Sequence, residues 1–154
     1  MNRVQYILMI ALTLGLLTYS SACECPGYRL AEMDSISYKN NEIVLIGKIT
    51  SIDQDCYEIE VKQLIKGNIT SKKIVGIYSL RKGLMSSCSF YPQFNTDYLL
   101  YLNPTQTGKD LYYYASQCEG SRALDQRQKP LTIYESDKQL NDWTGEWIEQ
   151  MKKE

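Results

Sequence analysis

Apolar residues fall along this chain in distinct textures. Ile7 to Leu17 (ILMIALTLGLL) is a continuous apolar run preceded by Arg3. It has the length of a secretory leader's hydrophobic stretch and is too short to span a bilayer. Glu42 to Asp53 (EIVLIGKITSID) is β-branched and apolar, and polar residues bound it on both sides. It predicts a strand, and Gly47 inside it marks a bulge or sharp bend. Cys56 to Leu64 alternates, with Tyr57, Ile59 and Val61 on one face and Glu58, Glu60 and Lys62 on the other. That is a half-buried antiparallel strand, and the Asp53-Gln54-Asp55 break makes the two a hairpin. Lys66-Gly67-Asn68 predicts a turn, and Lys72 to Leu80 a third strand. Ser86 to Asn95 reads as irregular. Tyr98 to Leu102 (YLLYL) predicts a short, wholly apolar strand ended by Asn103-Pro104. Thr105 to Asp110 reads as a polar loop, and Leu111 to Ala115 as a fifth strand. Ser121 to Pro130 is polar. Beyond Ser136, Leu140, Trp143, Trp147, Ile148 and Met151 recur on one face of a helix over about 137–152. Ser136 or Asp137 suits its start, and Lys152-Lys153 its negative end. Gly145 weakens that helix by up to about 1 kcal/mol.

Five evenly spaced strands and a terminal helix predict a mainly β domain. The architecture expected is a small five-stranded, OB-like antiparallel barrel with a C-terminal α-helix; a β-sandwich is the alternative. The organisation expected is a signal peptide over 1–22 and a single domain over 23–154. The latter is about 130 residues, enough for one core.

The leader ends in Ser20-Ser21-Ala22-Cys23-Glu24-Cys25. Ser20 and Ala22 are small residues three and one before a cleavable bond, which suits signal peptidase. A cut there makes Cys23 the first residue of the mature chain. Three uses of Cys23 stay open from the residues alone. Its thiol can staple the terminus through a disulfide, its free α-amine can serve as a rigidly held ligand, or it can carry a lipid. The last use fits because Ser-Ser-Ala-Cys also resembles a loose lipoprotein box. All five cysteines lie at or beyond the cleavage point. In an exported chain that distribution predicts disulfides, and an odd count leaves one thiol over or modified.

The formal net charge is −1, and loss of Arg3 with the leader makes it one unit more negative. No basic run is present, so nucleic acid is not an expected partner, and a membrane is one only through a lipid on Cys23. The chain contains no histidine. That removes Ser-His-Asp and Cys-His catalysis, histidine-containing zinc sites and histidine pH switches. Its carboxylates are scattered among lysines with no pair set apart. We therefore expect no enzyme, no cofactor and no intrinsic metal. Asn68-Ile69-Thr70 matches a glycosylation sequon, which operates only in a eukaryotic secretory pathway. Tyr112-Tyr113-Tyr114 is read as core on one side and ordinary surface on the other, and Trp143 and Trp147 as helix anchors.

The cysteine placement and strand texture resemble the netrin-like module shared by tissue inhibitors of metalloproteinases. The residues that carry this likeness are Cys23-Glu24-Cys25, the Ile-Val-Leu-Ile-Gly-Lys-Ile strand and Val61-Lys62-Gln63-Leu64-Ile65-Lys66-Gly67. To these are added Tyr98-Leu99-Leu100-Tyr101 and Cys118 after the last strand. The chain is similar to a bacterial-type, single-domain secreted member. The resemblance implies an OB-like barrel, with Cys23 paired to Cys88, Cys25 to Cys118, and Cys56 left free. Each bridge would close a loop of more than about 60 residues, worth about 4 kcal/mol in the chain-entropy model. In those inhibitors the α-amine and carbonyl of the N-terminal cysteine chelate the catalytic zinc of a protease. Carried over, the partner-binding residues are Cys23, Glu24 and Cys25. Those inhibitors place a small hydroxylated residue where this chain has Glu24. A carboxylate entering an apolar specificity pocket costs several kcal/mol unless it is paired. The function implied is a secreted, non-enzymatic protein-binding module whose partner is a zinc metalloprotease. The alternative is a lipid-anchored envelope protein with a structural or interaction role. Either way the chain is expected to be exported: secreted, periplasmic or at the cell surface.

Overall fold

The computed structural model describes residues 25, 27–78, 88–125 and 137–153, with the side chains of 137–142 left aside. The expected signal peptide, Cys23 and Glu24 lie outside the described residues. The fold is mainly β. Strands β1 (Ile43–Ile52) and β2 (Cys56–Lys66) form the expected hairpin, with Asp53 N donating to Cys56 O at 2.8 Å. The ladder shifts register between Ile46 and Gly47. A Cβ on Gly47 would lie 2.5 Å from Cγ2 of Ile59, so the glycine lets the strands close at this irregularity. Strand β3 (Lys73–Ile77) pairs with β2. Strand β4 (Asp97–Thr107) pairs with β1 and then with β5 (Asp110–Tyr114), which meets β3 at Gly76–Tyr113 and Ile77–Tyr114. The order β1-β2-β3-β5-β4, with β4 back on β1, makes a ring of five strands.

Several expectations need correction. The β3–β5 pair is parallel, so the ring is not wholly antiparallel. The strand expected to stop at Asn103-Pro104 runs through both residues to Thr107. Pairing with β1 ends at Leu102, so Pro104 removes no ladder bond on that side, where the strand has outrun its neighbour. The expected polar loop over Thr105–Asp110 is mostly strand, turning at Gly108, whose φ of +66° suits a tight hairpin. A short β6 (Arg122–Ala123) lies on Tyr98 and Leu99 of β4, within a stretch read as merely polar.

The largest omission is α1 (Leu30–Asn40), which no pattern announced. Its buried face is Leu30, Met33, Asp34 and Ser37, a helical spacing in which two of the four positions are polar. The expected C-terminal helix is present as α2 (Asp137–Met151). Strand β4 is apolar on both faces for a reason. Tyr98, Leu100 and Leu102 join Leu45, Ile49, Tyr57 and Ile59 inside the ring. Leu99 and Tyr101 face outward, where Ile148 and Met151 of α2 cover them together with Val44.

The helices are held down by polar groups as well as by apolar area. Arg122 and Asp34 form an ion pair whose side chains are both 0% exposed. The fork is bidentate, Nη1 to Oδ1 at 2.6 Å and Nη2 to Oδ2 at 2.9 Å. Nη1 also donates to the Gly120 carbonyl at 2.7 Å, and Nε to Thr144 Oγ1 at 2.9 Å. Asp34 further accepts from Trp143 Nε1 at 2.8 Å and from the Tyr101 hydroxyl at 2.9 Å. Trp147 Nε1 donates to that same hydroxyl at 2.7 Å. The two indoles stack, with centroids 6.0 Å apart, so both tryptophans anchor the helix.

Removing one partner of such a pair strands the other charge without solvent. Arg122→Met should lower unfolding free energy by about 3–5 kcal/mol. Adding Asp34→Asn, which removes the orphaned charge and keeps an acceptor for Trp143, should recover about half of that loss. Urea unfolding of the two variants and wild type measures both; equal losses in the single and double variants would show that the charge is not what the fold must compensate.

Candidate functional site

Cysteine chemistry converges on the loop between β5 and β6. Cys25 is joined to Cys118 by a disulfide across a sequence separation of 93, with Cα atoms 5.0 Å apart. This is the pairing the netrin-like resemblance implies for these two residues. Cys88 is also disulfide-bonded. Cys23, the partner implied for it, and Glu24 lie outside the described residues.

The loop is built by its own backbone. Ser89 and Ser116 form an antiparallel bridge, and Phe90 N donates to Ala115 O at 3.4 Å. Gln117 N donates to the Cys88 carbonyl at 2.9 Å, which also accepts the Ser116 hydroxyl at 3.4 Å. Ser116 Oγ in turn accepts from Cys118 N at 3.1 Å. Cys88 and Cys118 therefore sit on two segments stitched to each other. Gly120 closes the loop: its N–H donates to Ser37 Oγ of α1 at 3.1 Å. A Cβ there would come within 2.6 Å of Asp34 Oδ1, so no larger residue fits against the ion pair.

Glu119, the residue after Cys118, also belongs to this loop. It is half-buried, and its Oε2 accepts from Ser116 N at 3.4 Å. Burial pushes its carboxyl above the usual carboxylate range, opposed by hydrogen bonds from Ser116 and the Asn41 side chain. The nearby Tyr114 hydroxyl is pushed up by burial and then by the Glu119 charge. A lone glutamate in Gln-Cys-Glu-Gly-Ser carries no pattern, so only the closing of the ring reveals its surroundings.

Cys56 stands apart from this loop, at the first residue of β2 opposite Ile77, and its thiol is free. Burial and then the charges of Asp53 and Asp55 raise its pKa, which keeps it a thiol rather than a nucleophilic thiolate. Among the described residues, no group of three or more His, Cys, Asp or Glu is arranged to hold a metal ion. Among them, too, no helix is long and apolar enough to cross a membrane. Tyr113 is buried beside β3, while Tyr112 and Tyr114 are half-buried. Asn68 of the sequon is exposed on the β2–β3 connection, with Ile69 packed against the core.

No protein-family model and no curated protein matches the chain.

The raised Glu119 pKa sets a direction for stability. A group that holds its proton more tightly when folded contributes stability below its unfolded pKa, and that contribution is lost as pH rises through the folded value. Raising pH from about 4 to about 7 should therefore weaken wild type relative to Glu119→Gln, the two converging at the acid end. Denaturant unfolding at several pH values checks this. A difference that is flat with pH, or that grows towards acid, would contradict the buried-carboxyl account.

Proposed function

We propose that this chain is an exported, non-enzymatic protein-binding module of the netrin-like, OB-fold type. In this reading it inhibits a zinc metalloprotease through its N-terminal Cys-x-Cys. The observation that carries the proposal is the Cys25–Cys118 bridge, which ties the residue two beyond the expected mature terminus to a hydrogen-bonded loop. The ring of five strands with a helix packed across β4 is compatible with the OB-like architecture implied by the resemblance.

The chemistry needs few parts. A signal-peptidase cut before Cys23 frees an α-amine, which titrates near about 7.7–8.0 when unperturbed. In its neutral form it is a nitrogen ligand, and the carbonyl of the same residue is an oxygen ligand beside it. Catalytic zinc sites keep one position for water or substrate, and this pair can enter it. Anchoring the terminus in advance lowers the ordering cost of so small a contact. Glu24 then directs the module towards proteases whose specificity pocket is polar or basic, since an apolar pocket would desolvate its charge. If Cys23 instead carries a lipid, its sulfur is held in a thioether and cannot form the disulfide that would anchor the amine, and the chain is a lipid-anchored envelope protein. Mass spectrometry of the mature terminus separates the two.

Inhibition of a panel of zinc metalloproteases by the mature protein is the direct test. Adding one alanine before Cys23 should abolish inhibition without unfolding the ring, because it separates the amine from its partner carbonyl. Glu24→Thr should tighten binding to enzymes with apolar pockets by up to a few kcal/mol. Equal inhibition by the alanine-extended form, or none by wild type at micromolar concentration, would discard the zinc-chelating mechanism.

A further inference from the structure

We propose that α2 is a lock on the Cys25–Cys118 corner, with Trp143 and Thr144 as positioning residues that act through Asp34 and Arg122 on both segments leading to the bridge. On the Cys25 side, Tyr28 and Trp143 pack against Leu30 and Met33 in one apolar cluster. Trp143 therefore covers the turn of chain that begins three residues after Cys25. Its indole N–H also grips Asp34, one turn into α1. On the Cys118 side, Gly120 lies two residues beyond the cysteine. Its carbonyl accepts from Arg122 Nη1 at 2.7 Å and its N–H donates to Ser37 of α1. Thr144 Oγ1 accepts from Nε–H of that guanidinium at 2.9 Å.

The disulfide joins positions 93 residues apart, so covalent connection along the chain does little to orient its two ends. The Asp34–Arg122 unit adds to the backbone pairing of 88–90 with 115–118 in orienting them, and α2 supplies two of that unit's hydrogen bonds from a single helical turn. Both cysteines are half-exposed, whereas Asp34, Arg122 and Thr144 are buried. Hydrogen bonds to charged groups in a water-free site are among the costlier to break. Loosening α2 should therefore open the corner locally before it opens the ring. If the corner is the binding site proposed above, occupancy of the α2 dock sets how well that site is pre-organised.

The test reads the bridge itself and needs no protease, so its failure is distinguishable from failure of the inhibition mechanism. The mature, folded protein is exposed to dithiothreitol under native conditions, and the rate of Cys25–Cys118 reduction is followed by alkylation and peptide mapping. Hydrogen exchange of the buried β4 amides of Tyr98–Leu102, measured in parallel without reductant, reports opening of the ring. Trp143→Phe deletes one N–H donor, and Thr144→Val deletes the acceptor for Arg122 with little change of shape. Each should quicken reduction about tenfold, the scale of one hydrogen bond to a charged group. Thr144→Ser, which keeps the hydroxyl, should stay within about twofold of wild type, and so should β4 amide exchange in every variant. Unchanged reduction in Thr144→Val would overturn the proposal. So would equal rates for the serine and valine variants, or a parallel rise in β4 amide exchange, which would mark general loosening. Should Trp143→Phe fail to fold, the Thr144 pair decides alone.

Discussion

A charged pair sealed away from water is the constraint on which the rest of this structure depends. Asp34 and Arg122 are both fully buried, so each is tolerable only while the other is in place and their remaining hydrogen-bonding directions are filled. Meeting that condition takes residues from three further parts of the chain. Tyr101 comes from β4, Gly120 from the loop after Cys118, and Trp143 and Thr144 from α2. Geometry alone forces these parts together, because a bidentate fork admits only a narrow range of approaches. A buried ion pair is weak evidence for net stability, since apolar side chains of similar volume often do as well. What it supplies is position: it specifies which turn of each helix faces the ring.

The ring beneath is organised by size. Tyr57 points inward and rests on Gly76 of the neighbouring strand, where a Cβ would come within 2.3 Å of its ring. Phe90 meets Tyr98 edge-on, with centroids 5.3 Å apart, and Tyr78 stacks on Tyr91 at the same separation. These aromatic contacts fill one end of the interior with large, stiff side chains at little entropic cost. The hydroxyl of Tyr57 finds no hydrogen-bond partner inside, so burial pushes its pKa far up. The segment carrying Phe90 and Tyr91 follows Cys88 directly. The interior packing and the disulfide corner therefore share one stretch of chain.

The corner inherits its order from both layers. Segments 88–90 and 115–118 pair with each other through backbone groups, and the Gly120 contacts tie them to α1. A disulfide placed on such a base lowers the entropy of the unfolded chain and also fixes where a short terminal segment can reach.

The sequence by itself determined whatever depends on local periodicity. The β1–β2 hairpin follows from alternation and the Asp53–Asp55 break, the irregularity at Gly47 from a glycine among β-branched residues, and α2 from its tryptophan-bearing stripe. Strand β4 was legible as an apolar core strand but not in its full length, because Asn103-Pro104 is a breaker only where both strand edges are paired. Helix α1 was illegible. Its inward face holds Asp34 and Ser37, which look solvent-facing until Arg122, 88 residues away, is brought against them. Tertiary structure alone decided that meeting, the parallel closure of β3 on β5, and the half-buried state of Glu119. Each depends on groups distant in sequence sharing one water-free space, and no local pattern of polarity encodes which distant group will arrive.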